Sequence, residues 1–332
     1  MNEIKDGKIV ILDSLRAFAA LSVCFFHFVC TTTGYVKNEQ ILKLFSFGQY
    51  GVQTFFVISG FVIPWAMHNA GYGFGNFFSF MLKRLARLEP PYLFSIILAL
   101  TLFYCRQHFL GMENLHMTVS TKQILLHFGY LIPFFEGYKW LNQVYWTLSI
   151  EFQYYFLIAI LFVPLMQSKK LARILITLVL LALGWLSNEK FLLYWLPFFL
   201  IGIVVFLNKA GLIKAFELKT LLVILLAFCI YRFPFASVIY GAIPVFFLLY
   251  KPNLKIPALH TFGKFSYSIY LIHPLLGASF INILSHRFTS PFQQIVVIIT
   301  GILITLVSGW LMYIVIERPS KTLSSSIKYK KS

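Results

Sequence analysis

The chain has 332 residues, of which 59% are hydrophobic and 12% are charged. Soluble globular domains carry about 25% charged residues, so this composition excludes an ordinary soluble enzyme, and its hydrophobicity excludes a disordered chain. The net charge of +17 does not indicate a nucleic-acid partner, because the basic residues lie at the ends of apolar runs, which is typical of membrane topology.

Ten apolar runs, 15 to 25 residues long, predict helices that cross a lipid bilayer, for which about 20 residues are needed. The first run already contains Asp13 and Arg16, so it is interpreted as a span and not as a typical signal peptide. A shorter run, 123–135, is predicted to be interfacial or re-entrant. The predicted spans are 9–30, 50–68, 88–105, 145–166, 171–187, 191–207, 217–231, 235–250, 264–284 and 292–316.

The distribution of Lys and Arg predicts the orientation of these spans. With both termini in the cytoplasm, 19 of the 28 basic residues lie on inner segments and 8 on outer segments, in agreement with the rule that positive charge stays inside. The longest outer loops are then 31–49 and 106–144, and 317–332 forms a basic cytoplasmic tail. The predicted fold class is an all-α, polytopic membrane bundle of about ten transmembrane helices, in one domain over 1–332.

Three ionisable residues in the first span indicate a functional site, because a charge inside a bilayer costs at least about 2.5 kcal/mol. Arg16 and His27 lie about 20° apart around a helix and about 16 Å apart along it, so they share one face at two depths. Asp13 lies one turn before Arg16 and can pair with it, either structurally or as part of a site. For His27, a proton-transfer role is favoured over that of a hydrogen-bonded core histidine.

Glu151 lies early in the fourth predicted span, at a depth in the outer half of the membrane similar to that of His27. A buried carboxylate at that depth is predicted to orient the imidazole and to stabilise its charged form, as the acid of a catalytic triad does. The alternative is a structural hydrogen bond to a neighbouring helix.

Arg84 and Arg87 have i, i+3 spacing and face the same way just before the third predicted span. Paired guanidinium groups suit phosphate, which each can grip with two hydrogen bonds. The spacing alone favours a simpler interpretation, in which both residues anchor the loop on the inner side.

Ser266, Tyr270 and His273 are spaced four and three residues apart, which places them in one polar stripe on a helix. Such a stripe can line a cavity or pack between helices. Pro274 follows the stripe directly and can kink the helix, because it has no backbone N–H.

Other motifs are predicted to be structural. The segment Glu317-Arg318-Pro319 closes the last span and favours an interfacial ion pair, and the small residues of Ser59-Gly60 permit close approach of two helices. The four cysteines form no CxxC pair, so neither a disulfide framework nor a metal site is expected.

Six segments stand in order along almost the whole chain: Leu12-Asp13-Ser-Leu15-Arg16 followed by His27; Phe55-Phe56-Val-Ile-Ser59-Gly60-Phe61; Arg84-Leu-Ala-Arg87-Leu-Glu-Pro90-Pro91-Tyr92; Trp146-Thr-Leu-Ser-Ile-Glu151; Ser266-Tyr-Ser-Ile-Tyr270-Leu-Ile-His273; and Glu317-Arg318-Pro319-Ser320. Together, in this register, they resemble the acyltransferase 3 family of integral-membrane O-acyltransferases. The ten-span core of that family, with cytoplasmic termini, also agrees with the charge distribution.

The resemblance implies transfer of an acyl group from cytoplasmic acyl-CoA, usually acetyl-CoA, to a hydroxyl of a cell-surface glycan or a lipid-linked sugar. O-antigen, exopolysaccharide and other envelope sugars are acceptors of this kind. It further implies that His27 is essential, that Arg16 is its basic partner, and that Arg84 and Arg87 are associated with the acyl-CoA. It also implies a multi-pass protein of the bacterial inner membrane, expected here as a core without the esterase-like domain of some members, and with no permanently bound cofactor.

These observations together predict a pass-through mechanism. The inner arginines hold the phosphates of CoA, and the pantetheine arm reaches up the bundle past Arg16. His27, oriented by Glu151, takes the proton of the acceptor hydroxyl as that hydroxyl attacks the thioester. Direct transfer is favoured because no Ser or Cys has the context of a nucleophile, and the alternative is that His27 itself carries the acyl group transiently. The predicted catalytic residues are His27, Arg16, Glu151 and Asp13, the predicted donor-binding residues are Arg84 and Arg87, and the predicted acceptor-binding residues are Tyr270, His273 and Trp146.

Two other classes of protein are alternatives to this hypothesis. A proton-coupled transporter of a small molecule or glycan precursor would also hold His, Glu and Arg inside spans, but it would usually contain an internal repeat, which this sequence lacks. A membrane scaffold would not be expected to concentrate ionisable groups in two spans.

Overall fold

The structure, a computed structural model, describes residues 9–32, 34–109 and 119–330. Those residues form helices joined by turns and short loops, and they contain no strand. Apolar runs fold this way in lipid because a helix satisfies its backbone hydrogen bonds within one segment. Lys5, Lys8 and Lys331, which contributed to the predicted orientation, lie outside the described residues.

The described part of the chain contains fifteen α-helices, three short 3-10 turns and two π-helical segments. The α-helices are α1 (Ile11–Cys30), α2 (Glu39–Ser46), α3 (Gly51–Asn69), α4 (Phe77–Phe109), α5 (Thr121–Phe128), α6 (Tyr145–Gln167), α7 (Lys170–Trp185), α8 (Leu192–Lys209), α9 (Ala215–Arg232), α10 (Phe235–Tyr250), α11 (Pro257–Gly263), α12 (Ser266–Ile272), α13 (Ser279–Leu284), α14 (Pro291–Met312) and α15 (Arg318–Ser326).

The described residues form an all-helical fold, and seven of its helical stretches are long and apolar enough to cross a membrane. The other three predicted spans are also helices, namely α7, α9 and α10, but they are shorter or more charged than the seven. A total of ten crossings therefore stays a prediction. The seven stretches are Ile11–Cys30, Glu39–Asn69, Phe74–His108, Tyr145–Gln167, Leu192–Lys209, Ser266–Leu284 and Pro291–Ser326.

Two segments predicted to lie outside the membrane contain more helix than a simple loop. The run 123–135 folds as α5 and a 3-10 turn at Ile132–Phe134, and eight residues of α-helix cover only about 12 Å, too little to cross a bilayer. The segment 31–49, interpreted as a loop from its sequence, instead contains α2, whose start is capped by the Asn38 side chain accepting from the Ile41 N–H at 3.1 Å.

Glycines allow a close helix contact between α3 and α8. A Cβ added to Gly60 would lie 2.1 Å from the carbonyl oxygen of Phe199, and one added to Gly202 would lie 2.1 Å from that of Val57. Side chains at these two positions would force the backbones apart, so the predicted close approach at Ser59-Gly60 is confirmed.

A third glycine contact brings α1 against α11. A Cβ on Gly263 would lie 1.9 Å from the carbonyl oxygen of Asp13. Because this contact leaves no room for a side chain, it fixes the N-terminal half of α1, with Asp13 and Arg16, directly beside the start of α12.

Two π-helical segments, His273–Ala278 and Tyr313–Glu317, interrupt the C-terminal helices. The first contains Pro274, whose missing N–H breaks the regular α-helical pattern, so the helix widens between α12 and α13. Such widened turns are frequent at functional sites because they re-aim side chains. His273 begins the first segment, and Glu317 ends the second.

His127 at the end of α5 fixes the loop that leads to α6. Its side chain is fully buried; Nδ1 lies 2.7 Å from the Gln123 carbonyl, and Nε2 accepts from the Leu141 N–H at 3.0 Å. Since a carbonyl can only accept, Nδ1 carries the hydrogen and the ring is neutral. Both ring nitrogens are thus used to hold 129–141 against α5.

We expect this loop to loosen on acidification. Burial lowers the pKa of His127, an effect only partly opposed by its backbone hydrogen bond to Gln123. The unfolded chain therefore binds a proton near pH 6.5 that the folded loop does not, so the stability of the loop rises with pH and falls as the pH drops below about 6.5. Hydrogen exchange corrected for intrinsic rates should show weaker protection of 129–141 at about pH 5.5 than at about pH 7.5. His127→Gln should remove this difference, and equal protection of the wild type at both pH values would contradict the expectation.

Candidate active site

A cavity of about 280 Å³ lies where α1, α3, α4 and α6 meet the C-terminal helices. Five of its lining residues are basic and three are acidic, so it carries net positive charge and suits an anionic ligand. The ionisable residues around it are Asp13, Arg16, Arg84, Arg87, Glu151, Lys264, Glu317 and Lys321, apart from the tyrosines.

Arg16 enters the cavity paired with Asp13. The guanidinium NH1 of Arg16 lies 3.7 Å from Oδ1 of Asp13, as their i, i+3 spacing predicted, and both side chains are about a quarter exposed. His260 of α11 approaches the other carboxylate oxygen, Oδ2, at 3.7 Å. Asp13 therefore holds Arg16 at the cavity wall without neutralising the excess of positive charge.

Arg84 and Arg87 both reach the cavity, one turn apart on α4. Arg84 is only 8% exposed, and its guanidinium lies over the rings of Phe80 and Tyr155, at 5.2 and 5.8 Å. Within the described residues its buried Nε has no hydrogen-bond partner. A buried guanidinium with an unused donor is a strong site for an anion, because the group costs free energy until it is paired.

Glu151 also lines this cavity, which corrects the prediction that it orients His27. Its Oε1 accepts hydrogen bonds from the Tyr155 hydroxyl at 2.5 Å and from the Ser59 hydroxyl at 3.3 Å. Helix α6 turns Glu151 toward Ser59 of α3 and the arginines of α4, whereas His27 is hydrogen-bonded to His273 at the start of the first π-helical segment.

Glu317 and Lys321 were not predicted to belong to the site. Glu317 is 1% exposed; Lys321 Nζ lies 2.7 Å from its Oε1, and Ser268 donates to its Oε2 through both its N–H and its hydroxyl. The ion pair predicted at the end of the last span is present, but its basic partner is Lys321 rather than Arg318. The i, i+4 spacing of Glu317 and Lys321 was the sequence signal for it.

The partner of His27 is His273, which lies 246 residues away in the sequence. Nδ1 of His27 and Nε2 of His273 are 2.8 Å apart, and Nδ1 of His273 lies 3.3 Å from the Ile269 carbonyl. The carbonyl can only accept, so Nδ1 of His273 carries a hydrogen, its Nε2 accepts, and Nδ1 of His27 donates. These two hydrogen bonds leave Nε2 of neutral His27 unprotonated, and its lone pair can accept a proton. His273 is fully buried, whereas His27 is 9% exposed.

Tyr270 connects the histidine pair with the cavity. It lines the cavity; its ring centroid is 5.8 Å from that of His273, and its hydroxyl is 3.0 Å from that of Thr147. The predicted polar stripe on α12 therefore faces the interior of the bundle. Trp146 lies apart from this group and lines a second cavity, which shares no lining residue with the first.

Residues 9–314 match the model of an acyltransferase domain. Because this match covers most of the chain, the protein belongs to the acyltransferase 3 family, as its six sequence segments indicated. The class of the protein is thus a membrane acyltransferase.

Several proteins similar to this chain are named acetyltransferases. O-acetyltransferase OatA of Staphylococcus aureus is 29% identical over 181 residues, 52% of this chain and 28% of that protein. The putative O-acetyltransferase SACOL0978 of Staphylococcus aureus is 28% identical over 169 residues, 48% of this chain and 25% of that protein. The putative acetyltransferase ORF330 of Acidianus two-tailed virus is 24% identical over 296 residues, 79% of this chain and 81% of that protein.

This chain spans only about a quarter of the length of the staphylococcal relatives that it matches. No solved structure matches it.

Proposed function

We propose that the protein is an O-acetyltransferase of the bacterial inner membrane, which moves an acetyl group from cytoplasmic acetyl-CoA to a hydroxyl of an envelope glycan or lipid-linked sugar. The observation that carries the proposal is the positively charged cavity beside a histidine pair that leaves a free lone pair on His27. Membership of the acyltransferase 3 family and the names of its relatives support the reaction class.

The donor binds first in this scheme. Arg84 and Arg87 hold the phosphates of acetyl-CoA through charge-assisted hydrogen bonds, with Lys264 and Lys321 adding positive charge at the same end of the cavity. Asp13 keeps Arg16 extended into the cavity, where it attracts the thioester end of the donor. The thin pantetheine arm needs only a narrow path, so the bundle passes an acetyl group and not the whole donor.

The chemical step uses His27 as general base. Nε2 of His27 takes the proton of the acceptor hydroxyl while the oxygen attacks the thioester carbonyl carbon. A carbon–oxygen bond forms, the carbon–sulfur bond breaks, and the thiolate of CoA leaves with the proton that His27 had accepted, so His27 returns to its neutral form. His273 holds His27 in the required tautomer, and Tyr270 lies beside the point where the two substrates meet.

Glu151 acts on the donor side of the site. With Ser59 and Tyr155 donating to it, its carboxylate stays fixed beside the two arginines of α4 and keeps their guanidinium groups in place before the donor arrives. In this role it is a positioning residue for the donor cavity and not the partner of the catalytic histidine.

The proposal is tested with purified protein in sealed, oriented vesicles. Radiolabelled acetyl-CoA should support transfer to glycan only when supplied on the cytoplasmic side, and mass spectrometry of the host envelope should lose an acetyl mass when the gene is removed. Two single-cysteine variants in a background without the native cysteines define the faces: Gly75→Cys, at an exposed turn before α4, and Lys37→Cys, at an exposed position before α2.

Impermeant reagent added outside should label Lys37→Cys and leave Gly75→Cys unlabelled. Transfer that needs both substrates on one face would overturn the pass-through scheme. Movement of a sugar or glycan precursor across the vesicle membrane without any acetylation would overturn the enzyme assignment.

A further inference from the structure

A second cavity, of about 580 Å³, opens between the loop before α6 and the turn between α7 and α8. The charge distribution along the chain places this end of the bundle outside the cytoplasm. Its size lies within the range of about 300–1,000 Å³ that small-molecule sites occupy. Its aromatic lining residues are Phe135, Tyr138, Trp140, Trp146 and Trp195.

The aromatic walls of this cavity are held in fixed orientations. The ring centroids of Trp146 and Trp195 are 5.3 Å apart with planes inclined at 40°, and Nε1 of Trp195 donates to the Glu189 carbonyl at 2.8 Å. Trp140 packs edge-on against buried His127, at 5.3 Å between ring centroids. Three indoles fixed in this way present rigid apolar faces at little cost in side-chain entropy.

Four charged side chains surround these rings. Glu136, Lys139, Glu189 and Lys190 form no ion pair and no side-chain hydrogen bond within the part of the chain that the structure describes. Two are acidic and two are basic, so the rim supplies both acceptors and donors without net charge. This differs from the first cavity, whose excess of positive charge suits phosphates.

One layer of side chains separates the second cavity from the first. Phe56 lines the first cavity, and its ring lies 6.3 Å from that of Trp146 and 5.8 Å from that of Trp195. Thr147, next to Trp146 in the chain, is hydrogen-bonded to Tyr270 at 3.0 Å. A ligand in the second cavity therefore lies beside the point at which the donor cavity meets the histidine pair.

We infer that the second cavity is a binding subsite for an uncharged sugar ring of the acceptor, one that neighbours the ring to be acetylated. Sugar rings expose flat faces of C–H groups that stack on indoles. Their hydroxyls both donate and accept hydrogen bonds, so they can pair with the carboxylates and the ammonium groups that surround the aromatic faces. Binding energy gained here, away from the reacting hydroxyl, can be used to position that hydroxyl. The inference rests on the proposed function for the identity of the reaction, but the binding it predicts is measurable alone.

The experiment measures binding and chemistry separately on the full-length protein in nanodiscs. Calorimetry is performed with neutral oligosaccharides released from the host envelope, and with inorganic tripolyphosphate as the anionic comparison. We expect Trp140→Ala to weaken oligosaccharide binding about tenfold, the scale of one lost aromatic contact, and to leave hydrolysis of acetyl-CoA within about twofold of wild type. Trp310→Ala, which removes a half-exposed indole of α14 that lines neither cavity, is the matched control.

A double variant of the exposed rim, Glu136→Gln with Lys190→Gln, guards against misfolding of the tryptophan variant. It should also weaken oligosaccharide binding, by several fold. The inference would be overturned if the wild type bound no oligosaccharide, if all variants bound it equally, or if tripolyphosphate displaced it. Wild-type protein that binds oligosaccharide but neither hydrolyses nor transfers acetyl groups would instead overturn the proposed function and leave the sugar subsite standing.

Discussion

Replacing His27 with alanine should abolish acetyl transfer while the protein still inserts, folds and binds acetyl-CoA. A positioned general base contributes about 10²–10⁴-fold to a rate, and the hydrogen-bond chain from the Ile269 carbonyl through His273 leaves Nε2 of His27 free for that task. The donor cavity does not include His27, so the binding of acetyl-CoA should be nearly unchanged. Transfer is measured with radiolabelled acetyl-CoA at equal membrane abundance of the variants.

The neighbouring histidine gives a graded version of the same test. His273→Ala removes the acceptor for the Nδ1 hydrogen of His27, so the ring can adopt the other tautomer or orientation. We expect a loss smaller than that of His27→Ala and a changed pH dependence of the transfer rate, which a purely structural role of His273 would not produce. His68→Ala, at an exposed position on α3, is the matched control. Near-normal transfer by His27→Ala would show that His27 is not the general base.

Removal of both α4 arginines, Arg84→Ala with Arg87→Ala, should raise the KM for acetyl-CoA at least about tenfold. Hydrogen bonds to charged groups are worth about 1.5–3 kcal/mol each, and both guanidinium groups reach the donor cavity. The KM for the acceptor should change far less, because the acceptor approaches from the opposite face in the proposed scheme. Raised salt should weaken the binding of acetyl-CoA to the wild type in the same direction.

Two comparisons separate donor binding from a general effect of charge. Lys255→Ala removes a basic residue from an exposed position outside the cavity, so it should leave the KM for acetyl-CoA unchanged. Arg84→Lys keeps the charge but loses the planar donor group that lies over the rings of Phe80 and Tyr155, so it should be only partly active. An unchanged KM in an active double variant would exclude these arginines from the donor site.

Local spacing in the sequence was enough to predict the class of protein and several pairs of residues. Long apolar runs can only be helices in lipid, and the helices lie where the runs predict them. The pairing of Asp13 with Arg16 and the shared face of Arg84 and Arg87 follow from one turn of helix, a geometry that tertiary structure does not alter. The close approach at Gly60 was also predictable, because only small residues allow it.

Contacts between distant helices depended on the tertiary structure. Helix α6 is apolar around most of its circumference, so its sequence does not indicate which face meets which neighbour; packing alone turned Glu151 toward the arginines and Trp146 into the second cavity. The π-helical turns, which change the direction of the residues beside them, brought His273 to His27 and Glu317 into the donor cavity. Sequence spacing therefore determined neighbours within one helix, whereas packing of backbone against backbone decided which helices share a site.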